Sequence, residues 1–297
     1  MFLVFTMSLT KTVIYISLGI ITLVSGQVFR PCFPFCELGA QQQKPVSVPA
    51  WMLTVGMSGP MTHESSSLPR LDNSDYEERG EVVDLGGLDI YVVGNGRKCI
   101  IWNYDIFGFD SGRSRQLCDI FAAEGFTVIM PDYFRGTSEG DAQFNANDMA
   151  DWSNLKQDWE QKIRPYAVES KGAETFGTIG TCWGSYMTIR LSTYPMVVAG
   201  VSMHPYHSTM MKKLGEDEEE IMRRVGNKQL IMPSGGDDDN VKPGGLAERI
   251  LGDRVEILEF PEMIHGWTTR GQLEDEKVNR DVKKAVNKAI QFFKTNL

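Results

Sequence analysis

The chain has 297 residues, of which 42% are hydrophobic and 23% charged, so disorder as the dominant state is excluded and one large core can form. The formal net charge of −9 argues against a nucleic-acid partner, because proteins that bind phosphate backbones usually present a basic face. We therefore expect a small-molecule partner.

The N-terminus differs from the rest of the chain. Lys11 precedes the apolar run Thr12–Val24, which is followed by Ser25 and Gly26. A charge, an apolar run and small residues in this order are typical of a secretory signal peptide. We predict that residues 1–26 are such a signal, so that the mature chain begins near Gln27, enters the secretory pathway and contacts no membrane after cleavage. An uncleaved anchor is the alternative, although the apolar run is short for a spanning helix, which needs about 20 residues.

Cysteine usage predicts thiols and one optional disulfide rather than a metal site. Cys32 and Cys36 are close enough in sequence to close a small disulfide loop in an oxidising compartment. Cys99 begins an apolar strand and Cys118 lies in a helical pattern, so both are predicted to be buried free thiols. The spacings of zinc-binding cysteine pairs are absent and the four histidines are scattered, so we predict no metal.

Residues 27–75 are rich in Pro, Ser, Gln and Met and show no sustained hydrophobic period, which predicts an irregular arm laid over the domain. The domain is predicted to span residues 76–297. Its first signal is Gly86-Gly87, a two-residue connection between Val82–Leu85 and Leu88–Val93 that is typical of a β-hairpin.

Beyond Lys98, short apolar runs alternate with helical patterns. The predicted strands are Cys99–Tyr104, Phe126–Met130, Thr175–Gly180, Val197–Met203, Gln229–Met232 and Val255–Phe260. The predicted helices lie at Arg113–Glu124, Trp152–Val168, from Trp183 onward, at Gly245–Leu251 and at Glu274–Thr295. This alternation predicts an α/β fold with a mostly parallel central sheet and helices on both faces. In such sheets functional residues lie at the carboxyl ends of the strands.

A nucleophile motif stands where one strand ends and a helix begins. Gly180-Thr181-Cys182-Trp183-Gly184 matches a G-x-nucleophile-x-G elbow with cysteine in place of serine. Two glycines are needed because a side chain at either position would clash with the neighbouring strand or helix. The helix N-terminus favours a thiolate at Cys182 and directs the Trp183 N–H at a developing oxyanion. The motif alone is ambiguous, since a buried cysteine is usually inert.

The rest of a catalytic triad follows in the required order of acid and then histidine, each after a later strand. Asp237, Asp238 and Asp239 form a loop after the strand Gln229–Met232, and His265 follows the next strand. An Asp run is usually a solvated loop and a lone histidine is more often structural. Three elements in order nevertheless favour a cysteine-hydrolase site.

The other histidines fit less well. His63 lies in the irregular arm, and His204 and His207 precede the acid. We interpret His204-Pro205, after a strand end, as shaping the loop that follows.

Four motifs occur together in one order. They are Asp105-Ile106-Phe107-Gly108, Pro131-Asp132-Tyr133-Phe134, Gly180 to Gly184, and His265-Gly266-Trp267. In this combination the chain from about Tyr76 to its C-terminus resembles the dienelactone hydrolase (carboxymethylenebutenolidase-like) family, particularly its eukaryotic branch. The resemblance implies an α/β-hydrolase fold and cleavage of an ester or lactone without a cofactor.

The resemblance also implies roles for further residues. Asp105 matches an acidic residue that holds the resting thiol in a less reactive state, and Ile106 N–H matches the second oxyanion donor beside Trp183 N–H. Two arginines of the family grip a substrate carboxylate. Arg270 and Arg135 are the nearest candidates, each slightly displaced from the bacterial pattern.

The triad acid has three candidates. Counting forward from the strand Leu230–Met232 places Asp237 on the catalytic aspartate of the family that the chain resembles, whereas counting back from Pro243 favours Asp239. Because loops absorb insertions and strands do not, we choose Asp237, with Asp239 second and Asp238 third.

The expected mechanism is acyl transfer through Cys182, with His265 as base and Asp237 as its orienting acid. The expected partner is a small ester or lactone, and the mature chain is expected to be a monomer. A thioesterase, a general carboxylesterase and a non-catalytic binder of small ligands are the alternatives.

Overall fold

The computed structural model describes residues 68, 71, 75–144 and 151–297. The predicted signal peptide, Cys32, Cys36 and most of the predicted arm lie outside these residues. Within them, no helix is both long and apolar enough to cross a membrane.

One eight-stranded sheet organises this part of the chain. Its strands are β1 (Glu81–Asp84), β2 (Asp89–Val93), β3 (Lys98–Asn103), β4 (Thr127–Pro131), β5 (Thr175–Cys182), β6 (Val197–Pro205), β7 (Lys228–Met232) and β8 (Val255–Ile257). Their order across the sheet is β1-β2-β4-β3-β5-β6-β7-β8. β2 runs in the opposite direction to the other seven strands, which confirms the predicted mostly parallel sheet.

Nine α-helices accompany the sheet in the described residues. They are α1 (Ser114–Ala123), α2 (Trp152–Asp158), α3 (Arg164–Glu169), α4 (Gly184–Leu191), α5 (His207–Leu214), α6 (Glu218–Arg223), α7 (Leu246–Leu251), α8 (Trp267–Arg270) and α9 (Glu276–Asn296). A π-helical turn, Trp159–Ile163, joins α2 to α3, so the predicted helix over Trp152–Val168 is continuous.

Two regions depart from the predictions. Helices α5 and α6 were not predicted, because each is too short to give a sustained hydrophobic period. The predicted strand Val255–Phe260 is regular only to Ile257. Leu258 and Phe260 still donate backbone hydrogen bonds to the β7 side, at 2.9 Å each, so the segment follows β7 without regular pairing.

The hairpin is confirmed. Asp84 pairs with Asp89, and Leu85 N–H donates to the Leu88 carbonyl at 2.8 Å. Gly86 and Gly87 have φ of 68° and 80°, the left-handed conformation at both central positions that the tight connection requires.

The central strands are buried on both faces because helices cover them. All five residues of β4 are buried, and Phe293 of α9 packs edge-on against Phe121 and Phe126, with ring centroids 6.1 and 6.3 Å away. Cys99 and Cys118 are buried free thiols within this core, as predicted. The core therefore holds the carboxyl ends of β5, β6 and β7 in a fixed relation to one another.

Candidate active site

The turn at Cys182 is as tight as the two glycines of the motif predict. Cys182 is the last residue of β5, has φ of 53° and is 4% exposed. A Cβ on Gly180 would lie 2.2 Å from the Gly184 carbonyl oxygen, and a Cβ on Gly184 would lie 2.1 Å from the Asn103 carbonyl oxygen of β3. Only glycine fits at either position, so β5 can turn into α4 directly and present Cys182 at the turn.

Hydrogen bonds tie the elbow to the end of β6. Ser185 Oγ donates to the Cys182 carbonyl at 2.7 Å, and Tyr206 N–H reaches the same carbonyl at 3.2 Å and Ser185 Oγ at 2.8 Å. The peptide that follows the thiol is thereby held in one orientation.

Asp237 and His265 form the acid–histidine pair. His265 Nδ1 donates to Asp237 Oδ1 at 2.6 Å, and Ser234 N–H donates to the other carboxylate oxygen at 2.7 Å. Both side chains are nearly buried, so water competes little for the bond. Gly266 follows with φ of 95°, which lets the chain turn from His265 directly into α8.

The charge state of His265 depends on its neighbours. Burial lowers the pKa of His265, but the negative charge of the Cys182 thiolate and the hydrogen bond to Asp237 outweigh burial and raise the pKa to about 10. Cys182 also contributes a hydrogen bond to the raised pKa, and because Asp237 holds Nδ1, Nε2 is the nitrogen left for the thiol. The His265 imidazole therefore interacts both with the Asp237 carboxylate and with the Cys182 side chain.

The other two aspartates lie away from the histidine. Asp238 caps the short helical turn Asp239–Val241 by accepting from Asn240 N–H at 2.8 Å. The Asp239 side chain is 98% exposed and pairs with Lys242 at 3.2 Å. Of the three candidates, Asp237 contacts His265.

Asp105 and Arg270 form a buried ion pair. Arg270 Nη1 donates to Asp105 Oδ2, the Thr269 hydroxyl donates to the same oxygen at 3.0 Å, and Phe107 N–H donates to Oδ1 at 2.9 Å. The guanidinium also lies over the Phe107 ring, 4.6 Å from its centroid. A substrate carboxylate would have to compete with Asp105 for Arg270, and removing either partner would leave a buried charge uncompensated. The predicted roles of Asp105 toward the resting thiol and of Arg270 toward a substrate carboxylate stay predictions.

Arg270 also connects the site to the segment before the domain. Its Nε donates to the Leu68 carbonyl at 3.0 Å, and Leu68 N–H donates to the His265 carbonyl at 3.0 Å. Leu68 therefore links the His265 backbone, just before α8, to the Arg270 side chain at the end of α8.

Arg135 lies at a more exposed position. Its guanidinium pairs with Asp158 at 2.6 Å and donates to the Asp132 carbonyl at 2.9 Å. Asp132, from the Pro131–Phe134 motif, organises this turn by accepting from Gly136 N–H at 2.6 Å and from the Tyr104 hydroxyl at 3.0 Å. Arg135 is thus paired with the end of α2 and with a carbonyl of its own loop, and its predicted role toward substrate stays a prediction.

The two predicted oxyanion donors are backbone amides at the ends of β3 and β5. Neither Ile106 N–H nor Trp183 N–H is used in the turn, loop and cap hydrogen bonds of the described residues. The Trp183 ring is buried against Phe134 and Tyr104, with centroids 4.6 and 6.2 Å away, which anchors the residue whose amide follows the thiol.

Our interpretation of His204 was wrong. It lies within β6, and its ring packs on His265, instead of shaping a loop beyond the strand. One indication of a functional role for His204 was available in the sequence: it lies at the carboxyl end of a strand, where functional residues are found in α/β sheets. Tyr206 and Thr268, which also contact the two histidines, carry no recognisable motif.

No group of three or more His, Cys, Asp and Glu side chains could hold a metal ion within the residues that the structure describes. The arrangement rests instead on a thiol, an imidazole and a carboxylate.

Comparison with known proteins identifies similar chains. The family model for the Dienelactone hydrolase family matches residues 91–297, most of the chain. A carboxymethylenebutenolidase homolog of Rattus norvegicus is 30% identical over 141 residues, 44% of this chain and 57% of the relative. An uncharacterised AIM2 family protein of Schizosaccharomyces pombe is 29% identical over 243 residues, 75% of this chain and 94% of that protein. The match to the rat relative thus spans less than two thirds of its length.

The fold has solved counterparts. A dienelactone hydrolase from Anabaena variabilis superposes with a TM-score of 0.51 and 15% identity, covering 74% of this chain and 98% of that one. At this identity the likeness concerns the fold, which is that of the α/β-hydrolases.

Proposed function

We propose that this chain, which belongs to the dienelactone hydrolase family, hydrolyses a small ester or lactone through Cys182. The observation that carries the proposal is the His265 ring, bound to Asp237 on one nitrogen and influenced by the Cys182 thiolate near the other. These three residues come from the ends of different strands, as the hydrolase chemistry of an α/β sheet requires.

The proposed reaction has two halves. The Cys182 thiolate attacks the substrate carbonyl carbon, and the Trp183 and Ile106 amides stabilise the oxyanion that forms. As the intermediate collapses, the bond to the leaving oxygen breaks, and the His265 imidazolium gives its proton to that oxygen. The acyl group then remains on Cys182 as a thioester.

Water completes the cycle. Neutral His265 takes a proton from water, the hydroxide adds to the thioester carbonyl, and the carbon–sulfur bond breaks. The products are the carboxylic acid, the regenerated thiolate and the imidazolium. Asp237 holds the histidine tautomer and orientation in both halves, and no step needs a cofactor.

The test replaces the nucleophile. Cys182→Ala is expected to lower hydrolysis of a small activated ester such as p-nitrophenyl acetate by about 10⁴-fold or more, because attack by the thiolate is lost. Cys118→Ala, at a buried thiol away from the elbow, is the matched control and should retain activity. Intact mass spectrometry of the parent should detect the acyl adduct on Cys182. Unchanged hydrolysis by Cys182→Ala would refute the proposal.

A panel separates the alternative activities. Matched lactone, oxygen-ester and thioester substrates with the same acyl group are compared by kcat/KM. A preference for the thioester would assign thioesterase activity to the same residues. Binding without turnover of any of them would favour a non-catalytic binder.

A further inference from the structure

A second histidine meets the ring of His265. His204, near the end of β6, is fully buried, and its ring centroid lies 5.0 Å from that of His265 at an angle of 74°. Tyr206, two residues later, packs on the same ring at 5.8 Å and 64°. His265 is therefore contacted edge-on by two rings from one strand end, the arrangement that aromatic pairs prefer.

The backbone at His204 has a constrained conformation. Its φ is 37°, and Cys182 and Arg135 are the other non-glycine residues with positive φ in the described part of the chain. Such conformations persist where the surroundings determine them, and they cluster at functional sites. Here the turn after His204 brings Tyr206 N–H to the Cys182 carbonyl, so one strand end contacts both the thiol-bearing elbow and the histidine.

Polar contacts link His204 to the segment that carries His265. His204 Nε2 and the Thr268 hydroxyl are 2.6 Å apart, and Thr268 lies in α8, directly after the His265 loop. Burial first, and then the positive charges of His265 and Arg270, lower the pKa of His204, so its ring stays neutral. A neutral ring can pack against the His265 imidazolium without charge repulsion.

We propose that His204 is a positioning residue for His265. It fixes the plane of the His265 ring, so that Nδ1 stays on Asp237 and Nε2 stays turned toward Cys182. The inference rests on the proposed function of that site. A buried histidine that only stabilises the core would make the same contact with Thr268 without affecting the titration of His265.

The groups around His265 define what a pH measurement reports. Asp237 follows β7, Cys182 ends β5, and His204 and Tyr206 come from the end of β6. Arg270 of α8 is a further charge that acts on the neighbouring His204 ring, and it is paired with Asp105. A variant at His204 leaves all of the charged neighbours in place, because His204 itself is neutral.

The experiment compares three variants of the full chain. His204→Asn removes the ring, and asparagine tolerates the positive φ of this position. His204→Phe keeps the ring and removes its nitrogens, and Thr268→Val removes only the hydroxyl partner. The readouts are kcat and KM on an activated ester, and the titration of the His265 ring by NMR, assigned with His265→Gln.

We expect His204→Asn to lower kcat at least tenfold with little change in KM and to move the His265 pKa toward its ordinary value. His204→Phe should stay within a few-fold of the parent in kcat, because the edge-on ring remains, and Thr268→Val should fall between them. A parent-like kcat and His265 titration in His204→Asn would overturn the proposal. If His204→Asn does not fold, a parent-like kcat together with an unaltered His265 titration in Thr268→Val would overturn it equally.

The His265 titration also separates the two hypotheses. A parent protein that hydrolyses no ester, yet whose His265 titration shifts in His204→Asn, would refute the proposed function and keep the positioning role.

Discussion

Two carboxylates in one loop, two residues apart, have opposite environments. Asp237 is buried, with one oxygen on His265 and the other on Ser234 N–H, whereas Asp239 is exposed beside Lys242. A carboxylate held between a backbone amide and an imidazole can fix the tautomer of that imidazole. An exposed carboxylate paired with a surface lysine contributes little.

Asp237→Asn is therefore expected to lower kcat by about 10³-fold or more, because the amide can stabilise the wrong histidine tautomer while leaving the fold intact. Asp239→Asn is the matched control, with the same chemical change in the same loop, and should leave kcat unchanged. Steady-state kinetics on one ester measures both. The reverse ranking would assign the orienting role to Asp239.

The raised pKa of His265 predicts the pH dependence of turnover. With a pKa of about 10, the imidazolium that protonates the leaving oxygen persists through neutral pH. We expect kcat/KM to hold at alkaline pH and to fall as the pH approaches 10. An alkaline limb near pH 6.5 in the kcat/KM profile would contradict this assignment.

The raised pKa of His265 also makes the stability of the fold depend on pH. The pKa is about 10 in the folded protein and 6.5 in the unfolded chain, so the folded state binds this proton more tightly. The stability contributed by His265 is fully present below pH 6.5 and is lost as the pH rises through about 10.

At the scale of elements, the elbow joins β5, α4 and β3 through close backbone contacts. Gly184 faces the carbonyls of Asn103 and Tyr104, which are backbone atoms at the end of a central strand. Neither carbonyl can move without shifting that strand.

Gly184→Ala is accordingly expected to destabilise the domain by roughly 3 kcal/mol or more, since overpacking against rigid backbone displaces whole elements. Gly226→Ala is the control, because no heavy atom lies within 4 Å of a Cβ built there. Urea denaturation monitored by circular dichroism gives both values. A Gly184→Ala variant as stable as Gly226→Ala would show that α4 can move away from β3.

Helices α5 and α6 show what short elements contribute. They occupy the connection between β6 and β7, and α5 begins directly after Tyr206. Lys213 of α5 donates to the Tyr206 hydroxyl at 2.9 Å and so helps to position the ring that packs on His265. Both helices are too short for the sequence pattern to predict them.

At the scale of the whole molecule, we propose that the chain follows the secretory route. The charge and apolar run before Gln27 predict that secreted protein begins near this residue. No Asn-x-Ser/Thr acceptor occurs, so it should carry no N-linked glycan. N-terminal sequencing and intact mass of protein from secreting cells measure both. Protein that still begins at Met1 would exclude cleavage.

Much of the fold follows from local signals. The Gly86-Gly87 turn, the apolar strands and the glycines of the elbow are each decided within a few residues, because steric limits on φ and the periodicity of burial act locally. The order of Cys182, the Asp loop and His265 follows for the same reason, since each stands just after a strand that the pattern identifies. The short helices α5 and α6 and the early end of β8 could not be predicted from the sequence, because they depend on contacts with neighbouring elements.

The sequence by itself determined the kind of sheet, the elbow and the three segments from which the candidate triad comes. Only the tertiary structure decided which aspartate meets His265, that Arg270 is paired with Asp105, and that His204 packs edge-on against the His265 ring. These contacts join residues 28 to 165 positions apart in the chain. Such pairings depend on the packing of strands and helices, because the carboxyl ends of β5, β6 and β7 meet only when the sheet has formed.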